Sequence, residues 1–448
     1  MAASATPPPA IITSAASLLS TAWRCPIVLE GVVDLGGYSL SHVYRCRVHG
    51  GTDDTPKTVV LKCPSDDAAY DPDTRGLQAR QERILPRAYE TLGEEVQPEL
   101  HQVQIEIASP IRRTLVDVRK EVARERRGVI AAAEAVGSRI AAAGTHPFSL
   151  PHAQPISTKE RYKGIADKYR YMANELVIFG CHVHVGLDDH DALIPVLNRV
   201  RLWLAPLLAL SANSPFWCGE DTGYASYRTQ MWGRWPLAGP PGYFASRAEY
   251  DDLVKTLVAV GGIDAAANIY WDARLPEKTR TVEVRVADVC MTVDEAVMIA
   301  VLTRALVQTC YNAVLRGEEV APVRAEVLRH AQWCAARDGL DGNLVDLTAG
   351  RLVKAGAMIE TLLTYVRPAL EEHGDWDEVA ALVDMTRQRG SGAARQRAAY
   401  TRAGRLEDVG DLIVAETGRE TSWRPMHVAR HSPWPHRSGD IAESLDPI

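Results

Sequence analysis

The stretch FGCHVHVG, residues 179–186, carries an imidazole at every second position. Alternation with period two is what a strand with two unlike faces requires. It sets His182 and His184 on one face and Cys181, Val183 and Val185 on the other. A second stretch, TRTVEVRVADV at 279–289, obeys the same rule: Glu283 and Arg285 share a face, and Val282, Val284 and Val286 lie opposite. A third candidate strand, ELHQVQIEIAS at 99–109, alternates Gln102, Gln104 and Glu106 with Val103, Ile105 and Ile107. Glu99 and Glu106 are seven apart, so on one regular strand they point in opposite directions. A bend or bulge between them is needed before both can reach one space.

Further polar groups join this set. Arg228 closes a long polar connection, SANSPFWCGEDTGYASYR at 211–228, and YWDARLP supplies Asp272 and Arg274. A connection of that length without periodicity is a functional suspect. Carboxylates on rigid strands suit Mg²⁺, which takes oxygen ligands and leaves room for phosphate oxygens. Interleaved arginines suit a phosphate or carboxylate gripped by two N–H groups. Together they suit ATP-dependent activation of a carboxylate. Each piece also has a plainer reading. A Glu–x–Arg pair on a sheet is more often a cross-strand ion pair. His–x–His is more often structural, and zinc would require a third ligand at a suitable spacing, which is lacking.

The chain has 448 residues, 46% hydrophobic and 24% charged, which is ordinary globular composition. A net charge of −7 leaves no net basic surface to neutralise phosphates, so a nucleic-acid backbone is not expected as the main partner. The eight cysteines include no CxxC pair and lie in core-like segments, as expected for free thiols in the cytoplasm. Cys181 and Cys290 are expected to point to the core. The start, MAASATPPPAIITSAASLLSTAW, lacks a basic n-region and does not read as a signal peptide. No apolar run is read as a membrane span, and no membrane partner is expected. Strand-like runs fill 26–62, a long amphipathic helix is expected over about 112–143, and another helix over about 189–210. A helix opened by a capping box, Thr292 with Glu295, follows the Glu283 strand. More helices fill 296–416, and 421–448 reads as a disordered tail. Strands with one polar face predict an α+β fold, an antiparallel sheet with helices on one side and a site on the other.

Seven segments in order resemble one family. They are LGEEVQPELHQVQIEIASP, AAGTHPF, GCHVHVG, LLALSANSPFWCGEDTGYASYRTQMWGRWPLAGPP, YWDARLP, TVEVRVADVC and GAARQRAAY. From about Tyr70 to about Thr417 the chain resembles the carboxylate–amine ligases, or glutamate–cysteine ligases of type 2, in their actinobacterial branch. The resemblance implies a glutamine-synthetase-like fold, a curved antiparallel sheet with helices on its outer face and a helical C-terminal part. It implies ATP and Mg²⁺, an acyl phosphate of glutamate or a similar acid, and amide formation with cysteine or another amine. By position, Glu99, Glu106 and Glu283 look like metal-side acids and His182 and His184 like cofactor-binding residues. Arg228, Arg274 and Arg285 look like catalytic clamps on phosphate and carboxylate, with Arg285 also on the cofactor. A homodimer is compatible with the family.

The N-terminus departs from that pattern. The family opens with a Gly–Val–Glu–Glu–Glu–Phe strand before a VDP turn; here YDP at 70–72 follows KCPSDDAA, where the acids are Asp66 and Asp67. Two inward carboxylates are therefore missing or replaced. LGGYSLSHVYRCRV…KTVVLK faintly resembles a kinase small lobe, without the catalytic motifs of a kinase. The expected organisation is an atypical β-rich segment at 1–62, a ligase domain at 63–420 and a tail. TVVLK is alternatively a replacement first strand of the ligase sheet. Besides glutamate–cysteine chemistry, two alternatives stay open: the same chemistry on other substrates, and a weak or inactive homologue that binds nucleotide or a protein partner.

Overall fold

The structure, a computed structural model, describes residues 28–38, 41–49, 58–64, 74–151, 154–320 and 322–419, with side chains from 83 onward. Asp66, Asp67 and the tail at 421–448 lie outside the described residues. The chain forms two compact units, 1–77 and 78–448. In the first, β1 (Val28–Tyr38), β2 (Ser41–His49) and β3 (Thr58–Pro64) make an antiparallel sheet in the order β1-β2-β3. TVVLK is part of β3, and its ladder runs along β2, from Arg47↔Thr58 to Ser41↔Pro64.

The second unit starts from short strands and long helices. After the helix α1 (Thr74–Leu92) come β4 (Val96–Pro98) and β5 (Ile105–Ile107), then α2 (Leu115–Glu134). Thr114 caps α2 by accepting from Asp117 N. The helix ends near Glu134, not at 143, because Gly137 turns the chain with φ +73° and Ser138 N closes back on Ala133 O. A short hairpin, β7 (Phe216–Trp217) with β8 (Glu220–Asp221), precedes the last two strands of the central sheet, whose order is β6-β10-β9, from β6 (Gly180–Gly186), β10 (Thr281–Asp288) and β9 (Ala273–Arg274). The single continuous sheet suggested by the three polar strands is instead divided. Among the described residues β4 and β5 pair only with each other, because the chain reverses at His101–Gln104 rather than running straight through 99–109.

Period two is borne out where it was strongest. Along β6 the even positions are the more exposed, and Cys181, Val183 and Val185 pack on the main core. Val282, Val284 and Val286 of β10 lie within that core. The partners are α3 (Leu193–Val200), α4 (Leu204–Ser211) and α5 (Val293–Leu315). Leu197, Leu204, Leu207 and Leu208 are completely buried, as are Val297 and Met298. Burying a leucine side chain of this kind stabilises by about 1.5–3 kcal/mol. Thr292 and Glu295 form the expected capping box on α5. The stretches Leu193–Ser211 and Val293–Leu315 are long and apolar enough to span a bilayer, contrary to the reading of the sequence, but here both are core helices, 89% and 61% buried. Helices occupy most of 325–417, interrupted by the hairpin Asn343–Asp346 with Arg351–Lys354.

Candidate active site

The antiparallel register of β6 and β10 sets Glu283 opposite His184 and Val284 opposite Val183. The next aligned pair is Ala287 with Cys181. Two residues of β10, Arg285 and Val286, therefore oppose His182 alone. This bulge shifts the alternation by one residue. Val286 and Ala287 both enter the core, and Asp288 comes opposite Gly180 on the histidine face. On the other side of β10, Arg274 of β9 stands opposite Glu283.

Glu283 is the electrostatic centre of this face. Its Oε2 accepts from Arg274 Nε at 2.6 Å, and its Oε1 accepts from Arg285 Nη1. His182 Nδ1 lies 3.9 Å and His184 Nε2 3.7 Å from the same Oε1. Burial opposes the charge on Glu283, but Arg285 and then Arg274 outweigh it and hold the carboxyl well below its usual range. Burial, and then the Arg285 cation, depress His182 well below an ordinary histidine. Burial likewise lowers His184, whose Nδ1 is 3.2 Å from Thr281 Oγ1. Both shifts favour the neutral imidazole, with one donor and one acceptor nitrogen.

Arg274 is held on two sides. Besides Glu283 it donates from Nη1 to Ala267 O and Ile269 O, each at 2.7 Å. Burial lowers its pKa to about 10. Arg285 lies with its guanidinium 5.8 Å from the Trp232 ring centre. Its backbone N–H donates to Asp272 O at 2.8 Å. Asp272 is buried, and that burial raises its carboxyl to about 6.

Arg228 is not in an open loop. It lies in the first turn of α6 (Tyr227–Trp232), capped by Ser226. Its guanidinium donates to Arg285 O and Val286 O at 3.3 Å and faces Asp288 at 3.8 Å. It also lies directly over Gly180, where a Cβ would collide with it. Asp288 in turn accepts from Asn213 N, Ser214 Oγ and Ser226 Oγ at 2.7–2.8 Å. The polar stretch 211–228 thus wraps a buried carboxylate. Asp288 went unread in the sequence because strict alternation from Glu283 assigns it to the core side.

Glu99 and Glu106 meet because the chain turns back between them. Gln104 N donates to His101 O at 2.9 Å, and Gln104 Oε1 accepts from His101 N at 3.0 Å. Gln104 Nε2 also donates to Ile178 O at 2.8 Å, which ties the hairpin to the chain just before β6. The two carboxyl groups lie close enough for each to shift the other's ionisation. Burial and the charge of Glu99 raise Glu106 to about 8, against the pull of Arg285 and Arg161. Tyr162 adds a hydroxyl, which donates to Pro98 O at 2.8 Å and lies 3.4 Å from Glu99 Oε2. Neither Tyr162 nor Arg161 carried a signal in the sequence, since no periodic pattern connects them to the strands.

The expected residues therefore come together as two neighbouring groups. His182, His184, Arg274, Glu283 and Arg285 form one, with Arg228 beside it; Glu99 and Glu106 form the other. The three expected metal acids do not converge as one carboxylate cluster among the described residues, because the arginines occupy both oxygens of Glu283. Four buried atoms here have no hydrogen-bond partner: Arg228 Nε, Arg274 Nη2, Arg285 Nε and Glu106 Oε2. Buried polar atoms without a partner are rare and costly. Three donors that lack an acceptor beside an acid pair with an unsatisfied oxygen are chemically matched to an anion and a cation bound together.

The chain belongs to glutamate–cysteine ligase family 2, whose family model matches residues 66–413. It is 46% identical over 319 residues to a candidate glutamate–cysteine ligase 2-2 of Frankia alni, covering 71% of this chain and 83% of the relative. A candidate glutamate–cysteine ligase 2 of Rhodopirellula baltica is 42% identical over 323 residues, 72% of this chain and 86% of the relative. Among solved structures, a Pup ligase in complex with ADP is 12% identical and covers 82% of this chain and 77% of its own, with a TM-score of 0.38. That superposition is too loose to transfer any residue's role.

Proposed function

We propose that the protein is an ATP-dependent carboxylate–amine ligase that joins the side-chain carboxylate of glutamate, or a similar acid, to an amine such as cysteine. A carboxylate oxygen attacks the γ-phosphorus of ATP, the bond to the β-phosphate oxygen breaks, and ADP leaves. The amine nitrogen then attacks the acyl carbon, phosphate leaves with the C–O bonding pair, and the amine loses a proton. The observation that carries this reading is the set of unpartnered guanidinium N–H groups beside the Glu99–Glu106 pair.

The carboxylate pair fits Mg²⁺. Two acids lie side by side, Glu106 is held toward protonation by burial and then by its neighbour, and its Oε2 lacks a partner. Bound there, Mg²⁺ supplies charge neutralisation for phosphate oxygens. Glu283 is better read as the anchor of two arginines than as a third metal acid. It fixes Arg285 so that Nε meets an incoming oxyanion without reorganisation. Arg228 lies with Nε unpaired over Gly180 and suits a second oxygen or the substrate's carboxylate. The neutral imidazole of His182 is a hydrogen-bond partner for the nucleotide or the acid, not a cation. Favouring the N–H donors near the phosphoryl group and the carboxylate together is what acyl activation requires.

The test is ADP release from Mg-ATP with L-glutamate across a panel of amines, beside phosphate release and product mass. Amine-dependent ADP release with matching amide supports the reading. Tight nucleotide binding with no turnover on any acid–amine pair favours the second reading, a binding-only homologue, which the missing Glu–x–Glu motif at 62–69 motivates.

A further inference from the structure

Apart from the site above, a second set of acids lies where α2 meets the base of the catalytic hairpin. Glu121 and Glu125 are four apart on α2, so they project from one face of the helix. Glu95 ends the single helical turn just before β4. One oxygen from each of Glu95, Glu121 and Glu125 lies within 4.8 Å of the others. Oxygen ligands on a hard divalent cation sit about 2.0–2.6 Å from it, so such separations span one ion.

With all three acids ionised the charges do not balance. Arg112 donates to Glu121 Oε2 from Nε at 3.1 Å and from Nη2 at 2.7 Å. Arg124 donates from Nε to Glu121 Oε1 at 3.0 Å, and its Nη2 reaches both Glu121 and Glu95. Two guanidinium groups thus serve two of the three carboxylates. Glu125 is 5% exposed, and its Oε1 is buried with no hydrogen-bond partner. A carboxylate left buried and unpaired beside two like charges is strongly unfavourable, and burial, then Glu121 and Glu95, push the Glu125 carboxyl up to about 8, so without an ion it is held protonated. Its neighbour Arg124 is 39% exposed at the side chain, so water can take over its donors when an ion displaces it.

We propose that Glu95, Glu121 and Glu125 form a divalent-cation site, separate from the Glu99–Glu106 pair, in which Arg124 holds the place of the ion when none is bound. The cation it suits is hard and oxygen-loving, of the Mg²⁺, Mn²⁺ or Ca²⁺ class. Its position gives it a bracing role. Glu95 O accepts from Ala108 N at 2.8 Å and so closes the base of the β4–β5 hairpin that carries Glu99 and Glu106. An ion shared with α2 fastens that base to the helix.

The test uses Mn²⁺ with the full chain and no nucleotide, counting bound ions by electron paramagnetic resonance and locating them by anomalous diffraction. The wild-type chain shows an anomalous peak within about 2.5 Å of oxygens of Glu95, Glu121 and Glu125. Glu125→Gln loses that ion, while Arg124→Gln binds it about tenfold more tightly, since the competing cation is gone. Glu95→Gln, at a partly exposed position, serves if Glu125→Gln does not fold. A wild-type crystal with no peak there, or a Glu125→Gln or Glu95→Gln chain that retains it, overturns the proposal. Because the readout is an ion's location, a chain without ligase turnover leaves the result interpretable.

Discussion

Arg274 and Glu283 stand opposite each other in the β9–β10 ladder, and Arg274 Nε lies 2.6 Å from Glu283 Oε2 with both side chains 1% exposed. The same carboxylate holds Arg285 from its other oxygen. A single acid thereby keeps two buried guanidinium groups in place. Glu283→Gln leaves them mutually repelling, with an expected stability loss of about 3–5 kcal/mol. Turnover should fall at least about a hundredfold through misplacement of Arg285. Urea unfolding alongside ADP release measures both; a mutant with wild-type values for each would show that the pair is incidental.

Arg285→Lys separates clamp from ion pair. Lysine can still neutralise Glu283, but it offers a point charge in place of a planar fork. Turnover should drop at least about tenfold while stability changes little, since one charge-assisted contact remains. Activity within about twofold of wild type would reduce Arg285 to an ion-pair partner.

Gly180→Ala tests the close approach of Arg228 to β6. The added methyl meets the guanidinium, so the change should cost about 1–3 kcal/mol. In Arg228→Ala the obstruction is absent, and the glycine change should then cost almost nothing. A double-mutant cycle that comes out additive would mean the contact does not constrain the strand.

Stability should also fall in mild acid because of two histidines, the buried His101 and the half-buried His146. Burial lowers His101 and His146 to about 4 from an ordinary value near 6.5. The folded chain binds fewer protons there than the unfolded one. Their contribution is fully present above about pH 6.5 and is lost as pH falls towards 4, by up to roughly 3 kcal/mol each. His146→Asn should flatten the pH dependence of the unfolding midpoint between pH 6.5 and 4. An unchanged slope would show that His146 is already protonated when folded.

How much of this was legible in the sequence depended on the distance over which each pattern ran. Three alternating residues on either side of His182 and Glu283 were enough to assign their faces, because a half-buried strand of seven or eight residues imposes its period directly. The helix cap at Thr292 was equally local. Glu99 and Glu106 were readable only as a contradiction: both were wanted in one place, yet their spacing forbade it. The answer was a reversal fixed by the Gln104 side chain, whose partner Ile178 is 74 residues away. Asp288 was hidden by an unpaired residue in the ladder, which no local pattern announces. The acids at 95, 121 and 125 come from two elements whose packing the sequence alone does not encode at short range.

The bonds of Asp288 also set an order in time. They join β10 to residues 62–75 positions earlier, through Asn213, Ser214 and Ser226. Contacts of such sequence separation require a large loop to close before they return any stability. Helices α3, α4 and α5 can gather their leucines and valines first, since each forms from local contacts. Arg228 is then oriented only when the wrap around Asp288 is complete. On dilution from denaturant, helical signal should therefore return in a faster phase than enzymatic competence, and Asp288→Asn should lengthen the interval between them.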